Sequence, residues 1–279
     1  KTTLMLKAFE GCELPVFYFF ADANVDEAET ARAWLNEVSR TYAVEYPPAL
    51  TRPEEVIGYL MQLTQTKPAV CIIDECQNLN QINKAFWSQL QRIWDTKKDR
   101  SQLLLVMSGS IISAMEAIFG ESSQPLFGRL SGQLMLKPFN PREILDILRN
   151  EAPGLSPRDI LTLYAVTGGV AKYLELLIEA EALTERQIVE FIFSNAGGWL
   201  RSEGAIYLAN EFRADSPIYL QILKKVAAGK IRWNEIQDGI DTIVSPYISR
   251  LEQFRLLEKN IPFGAKAGTR NSRYRVVEP

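Results

Sequence analysis

Two adjacent acids, Asp74 and Glu75, directly follow an apolar run of the sequence, AVCII over residues 69–73. A continuous apolar run of this length, bounded by polar residues, is typical of a strand buried on both faces of a parallel sheet. Carboxylates at the end of such a strand are suited to binding a divalent cation and to accepting a proton from water. The alternative is a solvated turn at the strand end, in which the two acids have no chemical role.

The first residues of the chain supply groups that such acids can face. Lys1, Thr2 and Thr3 lead into a helical pattern, and Lys-Thr at the start of a helix is the second half of the phosphate-binding loop G-x-x-x-x-G-K-[ST]. In that loop the ammonium binds the β- and γ-phosphates, the hydroxyl binds Mg²⁺, and amides at the helix start add donors. We therefore predict that Lys1, Thr2, Thr3 and Asp74 bind the nucleotide with its Mg²⁺, with Thr2 and Asp74 as the metal ligands. Glu75 is predicted to orient or deprotonate the attacking water.

The two halves of this predicted site support each other. Lys-Thr-Thr is a common tripeptide, but its pairing with a strand that ends in Asp-Glu about 70 residues later is more specific. The glycine half of the loop supplies most of its backbone amides. We expect those glycines and the strand before them to lie upstream of Lys1.

Two later segments carry further candidates. VMSGS places Ser108 and Ser110 at the end of the next predicted strand, where a hydroxyl can reach the γ-phosphate or the attacking water; the alternative is a helix N-cap. PLFGRL places Arg129 in a glycine-containing loop, where an arginine can stabilise transition-state charge across a subunit boundary. The alternative for Arg129 is a structural salt bridge.

Composition excludes several mechanisms. The 279 residues contain no histidine, so Ser-His-Asp triads and Cys/His zinc sites are excluded. The net charge of −3 does not by itself suggest a nucleic-acid partner. The three cysteines show no pairing pattern, and we expect reduced, mostly buried thiols in a cytoplasmic protein. No stretch is apolar for long enough to span a membrane, so no membrane partner is expected.

The pattern of the chain predicts an α/β fold in three parts. Residues 1–138 alternate apolar runs with helical patterns, which indicates a parallel sheet flanked by helices. The predicted strands are 15–20, 69–74, 102–108 and 132–138, and the predicted helices between them are 26–43, 53–66, 81–95 and 110–119. Residues 139–212 are predicted to form a helical lid with a linker helix, with Asn140-Pro141 and Ser156-Pro157 as helix starts.

Residues 213–279 have the pattern of a winged helix-turn-helix. Three helical stretches, 216–230, 232–240 and 245–260, precede a predicted hairpin over 261–278 with a glycine-rich turn. Residues 215–279 hold eleven basic and seven acidic residues, so this segment is positive while the rest of the chain is negative. Such asymmetry is typical of a nucleic-acid interface, although winged helices also dock proteins.

The order of these features resembles the AAA+ superfamily of P-loop ATPases, in particular the archaeal and bacterial ATPase branch that carries a C-terminal winged helix. The matching stretches span nearly the whole chain: KTTL, CIIDECQNL, VMSGS, PLFGRLSG, LKPFNPREI, VTGGVAKYLELL and RLEQFRLLEKNIPFG…RYRVVEP. The resemblance implies ATP and Mg²⁺ as cofactors, the first sensor at Ser110, an arginine finger at Arg129 that acts in a homo-oligomer, and a second sensor at Lys172. Similar proteins usually have proline at the position of Ala171. Lys172 is alternatively an ordinary exposed lysine.

The predicted DNA-binding residues lie in the winged-helix segment. They comprise two arginines of the third helix and four basic residues of the wing: Arg250, Arg255, Lys266, Arg270, Arg273 and Arg275. We therefore predict a nucleotide-binding ATPase that uses Mg-ATP hydrolysis to drive conformational change and acts with double-stranded DNA. The alternatives are a nucleotide-gated DNA-binding regulator with little hydrolysis and an ATPase whose winged helix docks a protein.

Overall fold

The computed structural model describes residues 1–120, 122–254, 256–264 and 271–277, without the side chain of Arg213. It divides the chain into two compact units, Lys1–Leu134 and Met135–Pro279. Within the described ranges, every helix is too short or too polar to cross a bilayer.

The first unit is built on a parallel sheet. Its three strands are β1 (Val16–Phe20), β2 (Ala69–Asp74) and β3 (Leu103–Met107), in the order β1-β2-β3. Every residue of β2 is buried, because a strand lies on each side of it and side chains cover both faces. The pairing of Phe20 with Asp74 places the ends of β1 and β2 at the same edge of the sheet.

Helices of the first unit alternate with these strands. They are α1 (Thr2–Ala8), α2 (Glu27–Thr41), α3 (Pro53–Leu63), α4 (Leu79–Ile82), α5 (Phe86–Lys97) and α6 (Ile112–Phe119). The Asp26 side chain accepts a hydrogen bond from the Glu29 N–H and so caps the start of α2. Trp34 of α2 stacks on Phe19 of β1, with 4.6 Å between the ring centroids, in the buried core.

The predicted strand over residues 132–138 is wrong. The backbone there forms neither strand nor helix, and Leu134 is 79% exposed. A strand requires a hydrogen-bonded neighbour, and no strand pairs with this run within the described part of the chain. Its apolar residues are therefore not evidence of sheet structure.

The second unit begins with five helices, and the first two start at the predicted Asn140-Pro141 and Ser156-Pro157. These are α7 (Pro141–Glu151), α8 (Pro157–Thr167), α9 (Ala171–Glu179), α10 (Glu185–Phe193) and α11 (Leu200–Phe212). Asn140 and Glu143 form a capping box at the start of α7, and Ser156 caps α8. Ile144, Leu163 and Leu174 lie in the shared core of α7–α10.

The segment that the sequence predicts as a winged helix follows in the same unit. It consists of α12 (Ser216–Ala227), α13 (Trp233–Gln237), α14 (Ser245–Gln253) and the antiparallel strands β4 (Leu257–Asn260) and β5 (Arg273–Val276). The predicted helix over 245–260 is too long, because its last residues pair with β5 as β4. The α/β fold class is confirmed, whereas the boundaries at 138 and 212 stay predictions.

Gly169, which follows α8, provides a stability test. Its φ is +80°, and an added Cβ would overlap the carbonyl oxygen of Phe139, whose N–H donates to the Gly169 carbonyl at 2.7 Å. Gly154 also has a positive φ, +99°, but open space around it. We expect Gly154→Ala to lower the free energy of unfolding by about 1 kcal/mol through backbone strain. We expect Gly169→Ala to cost about 2 kcal/mol more because Phe139 must move.

Urea unfolding of the two variants, followed by tryptophan fluorescence, measures this difference. If both variants lose the same free energy of unfolding, the contact between Gly169 and Phe139 is not tight enough to exclude a Cβ.

Candidate functional site

The carboxyl ends of β2 and β3 are joined by backbone hydrogen bonds beyond the last strand residues. The Ser108 N–H donates to the Ile73 carbonyl at 2.9 Å, and the Cys76 N–H donates to the Ser108 carbonyl at 2.9 Å. Because the strands are parallel, both loops leave the same edge of the sheet. The segment Asp74-Glu75 and the segment 108–110 therefore lie side by side.

Asp74 is the buried acid of this edge, with 3% of its surface exposed. Its Oδ2 accepts hydrogen bonds from Thr2 Oγ1 at 2.6 Å and from the Tyr18 hydroxyl at 2.9 Å. Burial alone would raise the pKa of Asp74, but hydrogen bonds from Thr2, Tyr18 and Ser108 outweigh it and hold the pKa below its ordinary value. The carboxylate is therefore ionised at neutral pH.

The start of α1 lies at the same edge. Lys1 Nζ donates to the carbonyl oxygen of Gly109, in the loop after β3, at 2.8 Å. With the bond from Thr2 to Asp74, this contact places an ammonium and a hydroxyl beside both strand ends. Thr3, also predicted to bind nucleotide, is an exposed residue of α1.

Glu75 has a left-handed backbone with φ +51°, which is uncommon for a residue other than glycine. It opens a 3₁₀ turn, Cys76–Asn78, in which the Asn78 N–H donates to the Glu75 carbonyl. Its Oε2 accepts hydrogen bonds from Ser110 Oγ at 2.6 Å and from Gln77 Nε2 at 2.5 Å. Ser110 and Gln77 thus hold the second acid beside the first.

These side chains suit the chemistry of Mg²⁺. This cation takes oxygen ligands, usually one or two carboxylates together with waters and phosphates. The Thr2 hydroxyl and the ionised Asp74 carboxylate are such ligands, and their oxygens lie 2.6 Å apart. No cluster of three or more His, Cys, Asp or Glu that could hold a metal occurs in the part of the chain described.

No family model matches the chain. An uncharacterized protein of Methanocaldococcus jannaschii is 25% identical over 281 residues, which cover 100% of this chain and 59% of the relative. The chain thus spans about three-fifths of the length of that curated relative.

Solved structures are similar over nearly the whole chain. The Walker-type ATPase of Pyrococcus abyssi has a TM-score of 0.64 at 16% identity, over 99% of this chain and 85% of that one. The ORC2 protein of Aeropyrum pernix, solved as ADPNP–ADP complexes, has a TM-score of 0.53 at 13% identity, over 99% of this chain and 78% of that one. The chain has the fold of the AAA+ P-loop ATPases. At identities this low, the similarity establishes the fold alone and not the activity.

Arg129, the predicted arginine finger, forms a salt bridge with Asp95 of the same chain. Its guanidinium donates to both carboxylate oxygens of Asp95, at 2.9 and 2.8 Å, and to the carbonyls of Pro125 and Phe127. The hydrogen bonds from Arg129 lower the pKa of Asp95. This is the salt bridge that the sequence left as the alternative, and the finger role of Arg129 stays a prediction.

Lys172, the predicted second sensor, lies on α9 of the second unit. Its ammonium is 3.5 Å from Oε1 of Glu203 and 4.9 Å from the centroid of the Trp199 ring. Both contacts join α9 to the region of α11. The nucleotide role of Lys172 stays a prediction.

The predicted DNA-binding residues differ in their surroundings. Arg250 is exposed on α14, with its guanidinium carbon 5.9 Å from the Phe212 ring and 5.8 Å from the Phe254 ring. Arg273 is exposed on β5, whereas Arg275 forms an ion pair with Glu258 across the hairpin. The other three lie outside the described residues: Arg255, Lys266 and Arg270.

Sequence reasoning missed two residues of the site. Tyr18 lies mid-strand in β1, where an aromatic residue fits the apolar pattern, and only the pairing of β1 with β2 brings its hydroxyl to Asp74. Gln77 follows Glu75 by two residues, and its contact depends on the left-handed turn. The hydroxyl of a tyrosine within an otherwise apolar strand was the available signal for Tyr18.

Tyr18→Phe tests the environment of Asp74. A carboxylate whose pKa is lowered by folding stabilises the fold above its unfolded pKa, about 4, and this contribution is lost as the pH falls through the folded pKa. Without the Tyr18 hydroxyl the pKa of Asp74 should rise, so the loss should begin at a higher pH. We expect about 1–2 kcal/mol of destabilisation near neutral pH, decreasing below about pH 4.

Unfolding free energies measured from neutral to acid pH check this expectation. Tyr46→Phe is the control, because Tyr46 is 84% exposed. A destabilisation by Tyr18→Phe that does not change with pH would contradict the role given to Asp74.

Proposed function

We propose that the chain binds Mg-ATP at the carboxyl edge of its sheet and hydrolyses it, and that this reaction drives a conformational change. The observation that carries the proposal is the 2.6 Å hydrogen bond between Thr2 Oγ1 and Asp74 Oδ2. It joins two predicted Mg²⁺ ligands that are 72 residues apart in sequence, at the edge where Lys1 and Glu75 also lie. The solvated-turn alternative for Asp74 does not explain its burial.

Each residue has a role that follows from its chemistry. The Lys1 ammonium is a mobile cation for the β- and γ-phosphates, because its contact with the Gly109 carbonyl is at the surface. Thr2 and Asp74 would hold Mg²⁺, which when bound offsets the charge of the phosphates. The Glu75 carboxylate accepts a proton from the attacking water, and Ser110 holds that carboxylate.

The neighbours support this proposal by what their descriptions state. The protein of Pyrococcus abyssi is described as a Walker-type ATPase, and that of Aeropyrum pernix was solved with ADPNP and ADP. Both are similar to this chain over nearly its full length. A homo-oligomer joined through Arg129 and a cytoplasmic location belong to the same proposal, and so does the role of Lys172 as second sensor.

Glu75→Gln tests the catalytic assignment. The amide cannot accept the proton of the attacking water, so we expect kcat for ATP hydrolysis to fall about 100-fold or more while ATP still binds. Glu45→Gln is the matched control, because Glu45 is exposed and distant in sequence from the strand ends. Release of phosphate and the dissociation constant of ATP are the measurements. Equal kcat values for Glu75→Gln and the unchanged protein would remove Glu75 from the mechanism.

A second candidate is a nucleotide-gated DNA-binding regulator with little hydrolysis. The observation that favours it is the exposure of Arg250 and Arg273 on α14 and β5, the third helix and the wing. In winged helices these elements face the major groove and the phosphate backbone. If this unit docks a protein instead of DNA, binding does not require both Arg250 and Arg273 to be exposed. Both candidates are compatible with nucleotide binding in the first unit.

Replacing the two arginines tests DNA contact. If each binds a phosphate, Arg250→Ala and Arg273→Ala should each weaken binding to duplex DNA and reduce the slope of log K against log salt by about 1. Arg142→Ala removes an equal charge from the exposed face of α7 and should leave the slope unchanged. Fluorescence anisotropy over a range of salt concentrations measures both quantities. Unchanged slopes in both variants would exclude this DNA interface.

A further inference from the structure

We propose that Gln77 is a positioning residue for Glu75, an inference that rests on the proposed hydrolysis of ATP. Gln77 lies in the turn after β2 and is 6% exposed. Its Nε2 donates to Glu75 Oε2 at 2.5 Å and lies 3.4 Å from Ser110 Oγ. The amide of Gln77 therefore binds Glu75, the residue that we propose as the proton acceptor for the attacking water.

The orientation of the amide is set by this acid. The reverse orientation would place the amide oxygen against the carboxylate oxygen of Glu75, and two acceptors at that distance repel each other. In the orientation that binds Glu75, Oε1 of Gln77 is buried without a hydrogen-bond partner in the described part of the chain. A buried acceptor without a partner destabilises the fold. If Gln77 served only to fill space, an apolar side chain of similar volume would fill it without this cost. Binding to Glu75 accounts for the position of the amide.

The loop after β3 encloses this amide. A Cβ added to Gly109 would lie 2.5 Å from Oε1 of Gln77 and would also overlap Met115, so the loop packs directly on the amide. The left-handed backbone of Glu75, with φ +51°, places the carboxylate and the amide in the same tight turn. Such a backbone persists only where its surroundings hold it. Gln77 is thus fixed by packing on one side and by Glu75 on the other.

Gln77 and Ser110 bind the same oxygen of Glu75. Both donate to Oε2, which leaves Oε1 as the atom that we assign to the attacking water. Ser110 is exposed and has a single hydroxyl proton, which it can donate to another acceptor, whereas Gln77 is buried. Gln77 therefore keeps the carboxylate in place when Ser110 changes its partner.

A double-mutant cycle distinguishes positioning from a structural role. Gln77→Ala and Gln77→Met remove the donor, and the methionine retains most of the side-chain volume in case the alanine variant does not fold. Each is made in the unchanged protein and in Glu75→Gln, and kcat for ATP hydrolysis and the dissociation constant of ATP are measured. Gln62→Ala is the control, because Gln62 is an exposed residue of α3.

We expect each Gln77 variant to lower kcat about tenfold or more and to change the dissociation constant less than about twofold. In the Glu75→Gln background neither should lower kcat further, because Gln77 acts through that carboxylate. An equal further loss in both backgrounds, or a kcat for Gln77→Met equal to that of the unchanged protein, would overturn the inference. If Glu75→Gln itself leaves kcat unchanged, the proposed function fails first, and the inference fails with it.

Discussion

The hydrogen bond from Thr2 to Asp74 is the interaction on which the candidate site depends. Asp74 is an ionised group in the interior, and such a group is stable only when donors surround it. Three different elements supply them: Thr2 from α1, Tyr18 from β1 and Ser108 from the loop after β3. Because the buried Asp74 carboxylate requires these donors, its bond to Thr2 fixes where α1 meets the sheet. The position of Lys1, the residue before Thr2, is fixed with it.

Much of the fold was predictable from the sequence because it follows from local patterns. Apolar runs and helical patterns predicted β1, β2, β3 and the helices α2, α3 and α6 to within a few residues, and the Asn-Pro and Ser-Pro pairs predicted the starts of α7 and α8. The strand at 132–138 was wrong because hydrophobicity does not supply a pairing neighbour. The helix at 245–260 was too long because Leu256 and Leu257 continue an apolar pattern that fits either a helix or a strand. Pairing with β5, a tertiary contact, decides between the two.

The site was predictable only where the chemistry lies in a motif. Thr2 and Asp74 were predicted as partners, and they are in contact. Gln77 was missed because its reach to Glu75 depends on a left-handed residue that no pattern indicates. For Arg129 the sequence left two partners open, a phosphate across a subunit boundary or an acid nearby; the structure shows a contact with Asp95, and the role across a boundary stays a prediction. Residue type does not indicate such contacts, because they depend on long-range geometry.

The aromatic residues at the end of α11 have a mechanical consequence for the second unit. Phe212 stacks on Tyr219 of α12, with 3.9 Å between the ring centroids, and meets Phe254, just after α14, edge to face at 5.3 Å. Arg250 of α14 lies over the same two rings, Phe212 and Phe254. Close-packed rings resist sliding past one another, so these contacts connect the end of α11 to α12 and to the residue that follows α14. A rotation of α11 would have to displace these rings, and the guanidinium of Arg250, which lies over two of them, would lose its place as they moved.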